Sequence, residues 1–304
     1  VIVLNSLFPI ITLLLFGSFL KRTGFTDSVF LQTADRLIYF FFFPVMLFWK
    51  IGGTSLDQGI DWNFCLASLC SLTVLFVLSI LAIGPFRISR FQAGSFSQSC
   101  YRFNTYIGVA VILNSLGTEG VKYFGILLGF AIPLCNLFAV SVLIWFSGQE
   151  MDLRRRGRML SRALLSNPLI LGCLAGIVYA RIFKGFPVFF DNTFSLVSMA
   201  TLPMALISVG GVLSFAGVRE NLGVSLLSSA LKLVVLPLLG WLFYHLFHVT
   251  GLPFKAGILF LCLPTSTLIY ILCSQMKSDT RLASSAIAVS TLLSFIPLSL
   301  ALLI

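Results

Sequence analysis

Ten apolar stretches constrain this chain more than any motif: residues 3–20, 32–50, 62–85, 94–116, 121–147, 163–181, 192–213, 219–247, 254–275 and 283–303. Each is near or above the ~20 residues that a helix needs to cross a bilayer. In lipid, backbone N–H and C=O groups must be bonded within the chain, so such stretches become helices. Composition agrees, with 58% hydrophobic and 10% charged residues, where a soluble domain carries about 25% charged. The expected fold is therefore an all-α polytopic membrane protein with ten transmembrane helices. Residues 1–20 lack a basic leader and a small-residue cleavage site, and are read as a span rather than a signal peptide.

The net charge of +10 raises nucleic acid as a partner, but no basic patch is interleaved with aromatics. Basic residues at span ends explain it better, because cytoplasmic loops collect Lys and Arg. Segments after spans 1, 3, 5, 7 and 9 carry twelve (Lys21, Arg22, Arg87, Arg90, Arg154, Arg155, Arg156, Arg158, Arg162, Arg219, Lys277, Arg281). The other segments carry five: Lys50, Lys122, Arg181, Lys184 and Lys255. This bias puts the first set in the cytoplasm and both termini outside, in a cell (inner) membrane.

The arginine-rich segment 148–162 divides the spans into 1–147 and 163–304, and the two sets echo each other. Span 2 has Pro44, Leu47, Gly52 and Gly53; span 7 has Pro203, Leu206, Gly210 and Gly211 in the same order. Span 1 has Asn5, Pro9 and Gly17; span 6 has Asn167, Pro168 and Gly176; spans 5 and 10 have Pro133 and Pro297. Five is an odd number, so a second copy enters from the opposite side. The expectation is two inverted five-helix repeats joined by a basic cytoplasmic linker, an architecture that places a site near the midplane where corresponding helices are broken.

Span 4 holds a run that lipid does not tolerate: Arg102, Asn104, Thr105 and Gly108 within seven residues. Its counterpart in span 9 is Pro264, Ser266 and Thr267. Pro264 removes a backbone donor and Gly108 weakens a helix. Counted from their entry points at 1.5 Å per residue, Asn104 lies about 15 Å deep and Ser266 about 18 Å. Both depths fall near the middle of a core about 30 Å thick.

These residues resemble the auxin efflux carrier family, especially its bacterial branch of small-organic-anion carriers, over essentially the whole chain. The segment from Arg102 to Gly108 is similar to the family's R-x-N-T-x-I-G run. Asp35 and Arg36 ahead of Pro44 resemble its second span, with Asp35 where the family has Asn. Asn167-Pro168, Thr201 to Gly210, and Leu231-Lys232 through Pro237 also match. The resemblance implies ten spans in inverted repeats, spans 4 and 9 broken and crossing at the site, and a scaffold half with a mobile transport half. Many members have proline after the N-T-x-x-G segment; here Val109 and Ala110 follow, so a milder break is expected in span 4.

Each candidate residue carries a plainer alternative. Arg102 suits a carboxylate bidentately, or snorkels to the membrane face. Asn104, Thr105, Gly108, Pro264, Ser266 and Thr267 form the expected substrate site, although the same polar types make interhelical bonds. Lys232, about 20 Å into span 8, compensates charge for a coupling ion, attracts an anion, or tethers backbone carbonyls. Asn136, beyond Pro133, satisfies broken backbone. Asp35 is the acid placed inside a span, so a paired-carboxylate ion site is not expected, and any proton coupling would use Asp35, the substrate or water. Seven cysteines without C-x-x-C spacing read as small buried hydrophobes, and His245 with His248 is at most half a metal site. No metal, cofactor or catalytic residue is expected. The reading is a non-enzymatic secondary transporter for a small organic anion, a dicarboxylate or auxin-like acid, working by alternating access. An anion channel or a ligand receptor without transport remains the alternative. Expected partners are the anion, the lipid bilayer and a second copy of the chain as a homodimer, with no nucleic acid.

Overall fold

A computed structural model describes residues 2–53, 60–147, 167–183, 185–213 and 218–304. The basic segment 148–162, Lys184 and the four residues 214–217 lie outside this set. Among the described residues the chain is helical, with no strand. The helices are α1 (Ile2–Arg22), α2 (Ser28–Leu37), α3 (Phe43–Gly52), α4 (Trp62–Ile83), α5 (Arg90–Tyr101), α6 (Thr105–Ser147) and α7 (Pro168–Ile182). They continue with α8 (Val188–Val212), α9 (Val218–Ala230), α10 (Leu236–Leu246), α11 (Gly251–Leu261), α12 (Leu268–Gln275), α13 (Thr280–Leu293) and α14 (Phe295–Ala301). Among the described residues, seven helical runs are long and apolar enough to cross a membrane, so this is a multi-span membrane protein.

Polar residues start the helices where the sequence leaves its apolar runs. Asp27 accepts from Phe30 N at 2.7 Å to cap α2. Asn167 caps α7 through Leu169 N at 3.0 Å, with Pro168 at the first position, where its missing N–H costs nothing. Asp279 caps α13 through Leu282 N at 2.9 Å. Each of these satisfies orphan donors of a first turn.

Two π-helical segments, Ile38–Phe42 and Leu231–Val235, join α2 to α3 and α9 to α10. Each comes just ahead of a proline, Pro44 or Pro237. A proline inside a helix cannot donate to the preceding turn, and the ladder widens there. Phe43 N reaches Ile38 O, and Leu236 N reaches Leu231 O. The sequence reading marked these prolines but not the widened turns.

Spans 4 and 5 were expected to separate near residues 117–120, and α6 is kinked there: Gly117 leaves helical geometry (φ 66°, ψ −159°), and two helices meet across it. Lys122, counted above as a loop charge, is 7% exposed and lies 3.8 Å from Glu119, an i,i+3 pair just past the kink.

The chain forms two compact units. The first comprises Val1–Asp61, Val109–Phe130 and Leu164–Leu213; the second comprises Trp62–Gly108, Ala131–Ala163 and Ser214–Ile304. Each unit draws on residues from both sides of the 148–162 segment, and α6 contributes to both.

In the first unit, α1 packs on α8 and α3 packs on α7. The α1–α8 contact is backbone to backbone: a Cβ on Gly17 would strike the Ile207 carbonyl, and one on Gly210 the Leu14 carbonyl. Gly172 of α7 meets the Pro44 carbonyl in the same way. In lipid, where apolar burial does not drive association, such close approach is what packs helices. Asp35 lies in this unit and accepts from Ser208 Oγ at 2.6 Å. Trp49 Nε1 donates to Asp191 Oδ1 at 2.7 Å, and Lys50 Nζ sits 4.2 Å from the Trp49 ring centroid.

In the second unit, α9 packs on α13 and α10 on α4. Hydroxyl pairs link the helices: Ser79 with Ser97 at 2.7 Å, Ser68 with Tyr244 at 2.7 Å, and Ser225 to Ser285 at 2.8 Å. Phe76 of α4 stacks on Phe138 of α6 with centroids 4.1 Å apart.

Candidate functional site

Two helices of the second unit stop and restart in its interior. The first is α5, which ends at Tyr101; Arg102, Phe103 and Asn104 are non-helical, and α6 begins at Thr105. The second is α11, which ends at Leu261; residues 262–267 leave the helix, and α12 begins at Leu268. The span-4 break is the shorter of the two.

The two breaks are bonded to each other. Asn104 N donates to Pro264 O at 2.9 Å. Thr265 Oγ1 donates to Ser99 O at 2.7 Å, with Arg102 O at 3.3 Å. Thr265 N donates to Ser290 Oγ of α13 at 3.2 Å. A helix end leaves carbonyls without intrahelical partners, and Thr265 serves those at the end of α5. Phe103 and Phe260 meet edge to face, with centroids 4.6 Å apart.

A side-chain oxygen meets a backbone N–H at each restart. Asn104 Oδ1 accepts from Ile107 N at 3.1 Å and caps α6, and Ser266 Oγ accepts from Leu268 N, two residues on, at 3.3 Å. Next to them stand the half-buried hydroxyls of Thr105 and Thr267. Asn104 is 2% exposed, and its Nδ2 has no hydrogen-bond partner among the described residues. An amide with its acceptor used and its donor free is an incomplete site, because buried donors are otherwise satisfied.

Arg102 turns toward neutral oxygens. It is 8% exposed; Nη2 donates to Asn136 Oδ1 at 3.0 Å and Nη1 to Gln98 Oε1 at 3.4 Å. It therefore does not snorkel, and Asn136, expected to serve broken backbone, receives the guanidinium instead. Lys232 lies in the second π segment and is fully buried. Its Nζ donates to no acceptor among the described residues, so it tethers no carbonyl.

The described acids of this unit lie elsewhere. Glu220 is exposed beside Arg281, at 3.8 Å, and Asp279 caps α13. Two buried cations thus adjoin the breaks without a described carboxylate beside them. A buried charge lacking an opposite partner is costly. Arg102, Asn104, Gly108, Lys232, Asn136, Pro264 and Ser266 fall in this one unit, together with Thr105 and Thr267; Asp35 belongs to the other. Sequence reasoning missed Thr265, Gln98 and Ser290, whose roles depend on which neighbour each faces. Among the described residues, no group of His, Cys, Asp and Glu is placed to hold a metal.

Residues 148–302 match a family model described as membrane transport protein. An uncharacterised transporter of Methanothermobacter thermautotrophicus is 24% identical over 301 residues, 97% of this chain and 96% of its own length. An uncharacterised transporter of Methanocaldococcus jannaschii is 22% identical over 300 residues, 96% of this chain and 95% of its own.

Proposed function

The chain belongs to the auxin efflux carrier family of membrane transport proteins, and on that premise we propose that it is a secondary carrier for a small organic anion. The observation that carries the proposal is the pair of buried cations, Arg102 and Lys232, beside two broken helices and without a described acid at the site. A carboxylate there would take the guanidinium fork of Arg102, the free amide of Asn104 and first-turn N–H groups at the restarts of α6 and α12. Helix N-termini favour an anion on electrostatic grounds. Thr105 and Thr267 add hydroxyls that suit either a dicarboxylate or an auxin-like acid.

The proposed architecture has ten crossings in two inverted repeats, 1–147 and 163–304, with both termini outside. Packing supports it. Exchanging span 1 with 6 and 2 with 7 turns the α1–α8 contact into the α7–α3 contact, and both occur. Alternating access then follows, with the unit that holds the crossing as the moving part and the other as scaffold. Asp35, hydrogen-bonded in the first unit, takes a structural role in this scheme.

Counterflow in proteoliposomes tests the function. A carrier accumulates labelled anion transiently when preloaded with the same unlabelled anion. Uptake that neither saturates nor shows counterflow would indicate a channel instead, and no uptake of any acid in a panel of mono- and dicarboxylates would refute the proposal.

A further inference from the structure

A pocket of about 190 Å³ opens away from the crossing, at the opposite ends of its helices. It lies where α5 begins at Arg90, where α6 ends at Ser147 and where α12 ends at Gln275. Counted along α5, it is about 15–20 Å from Asn104, which puts it at the level where these spans leave the membrane. Its walls are Phe91, Leu143, Phe146 and Met276, and its polar groups are Arg90, Lys277 and Ser278. Interfacial aromatics flank it: Phe91 is 59% exposed and Trp145 81%. Trp and exposed aromatics collect at headgroup depth.

The two cations are held on one rigid frame. Phe91 O accepts from Asp279 N at 3.2 Å and from Ser278 Oγ at 2.9 Å. Ser95 Oγ donates to Asp279 O at 2.6 Å. These bonds clamp the turn after α12 onto the first turn of α5, so the backbones that carry Lys277 and Arg90 are held beside each other. Helix stabilisation explains one of them only. Lys277 follows the C-terminus of α12, where a cation is favourable, but Arg90 is the first residue of α5, where the helix dipole disfavours one. An anion between the two would reverse that penalty.

We infer that this pocket binds an anionic phospholipid, with the phosphate between Arg90 and Lys277 and an acyl chain along Phe91, Leu143, Phe146 and Met276. The apolar walls favour a lipid over free phosphate, since a free ion would leave them in water. Basic pockets between helices at a membrane face recognise such headgroups.

Native mass spectrometry of the full chain, released from membranes of mixed phosphatidylglycerol and phosphatidylcholine, tests the inference. The wild type should retain phosphatidylglycerol preferentially. The double variant Arg90→Gln with Lys277→Gln should lose that preference by roughly thirtyfold, as expected for two basic contacts. Lys21→Gln with Arg22→Gln, at the end of α1 in the other unit, should keep it. An unchanged preference in the first variant, or an equal loss in the second, overturns the inference. Displacement of the lipid by millimolar inorganic phosphate also overturns it, by showing that the site reads a free anion.

Discussion

Thr265→Val removes one hydroxyl and almost no volume, and it isolates the bond that locks the two broken helices together. Thr265 is fully buried, and its Oγ1 donates to Ser99 O at 2.7 Å. Ser99 is in the last turn of α5, so its carbonyl lacks an intrahelical donor. Valine leaves that carbonyl buried and unpaired, a loss of about 1–3 kcal/mol in proteins generally. Interhelical bonds in membranes average nearer 0.6 kcal/mol, with a maximum of about 1.7. The absence of an alternative donor at a helix end places this bond toward the upper part of that range, about 1–2 kcal/mol. Thr267→Val is the internal control, since Thr267 is half-buried and should stay within about 0.5 kcal/mol of wild type. Reversible SDS unfolding at fixed lipid-to-detergent ratio gives both values. Equal stability of the two variants would refute the claim that Thr265 fastens the crossing.

Three further outcomes follow from the same geometry. Asn104→Ser keeps a side-chain cap of comparable strength but loses the free amide, so stability should hold while anion uptake falls; a large loss of stability would contradict this. Lys232→Met removes a buried ammonium with no hydrogen-bond partner, and such replacements are neutral or stabilising by about 1–4 kcal/mol. Transport should nonetheless drop, and a marked loss of stability would mean that Lys232 has a structural partner. Gly210→Leu drives a side chain into the Leu14 carbonyl, and overpacking of this kind costs about 1–3 kcal/mol, to be read as a lower SDS unfolding midpoint; an unchanged midpoint would argue against the α1–α8 contact.

Some of the fold and candidate site was legible before any coordinates. Asn104 and Pro264 announce breaks because an amide and a proline at mid-span conflict with an uninterrupted helix in lipid, and both breaks occur where these residues sit. The depth of Lys232 was equally readable, since rise per residue is fixed. Other features depended on facing partners. Thr265 looks like any hydroxyl in an apolar run until Ser99 O is found opposite it. Pro44 and Pro237 predict a disturbed helix, but not whether the turn kinks or widens. Lys122 reads as a loop charge, yet just past the kink at Gly117 it already pairs with Glu119 one helical turn away. The compact units are spatial clusters, and a chain read in order cannot reveal that residues 109–130 cluster with α1 and α8 rather than with their sequence neighbours. The basic segment expected as a linker lies outside the described residues.

The central claim is that Arg102 meets a transported carboxylate. Initial rates of labelled mono- and dicarboxylate uptake should be measured in proteoliposomes for the wild type, Arg102→Lys and Arg102→Ala. The account predicts saturable uptake by the wild type, a sharp fall in Arg102→Lys because an ammonium lacks the bidentate fork, and near-complete loss in Arg102→Ala. Wild-type rates in Arg102→Ala would contradict it.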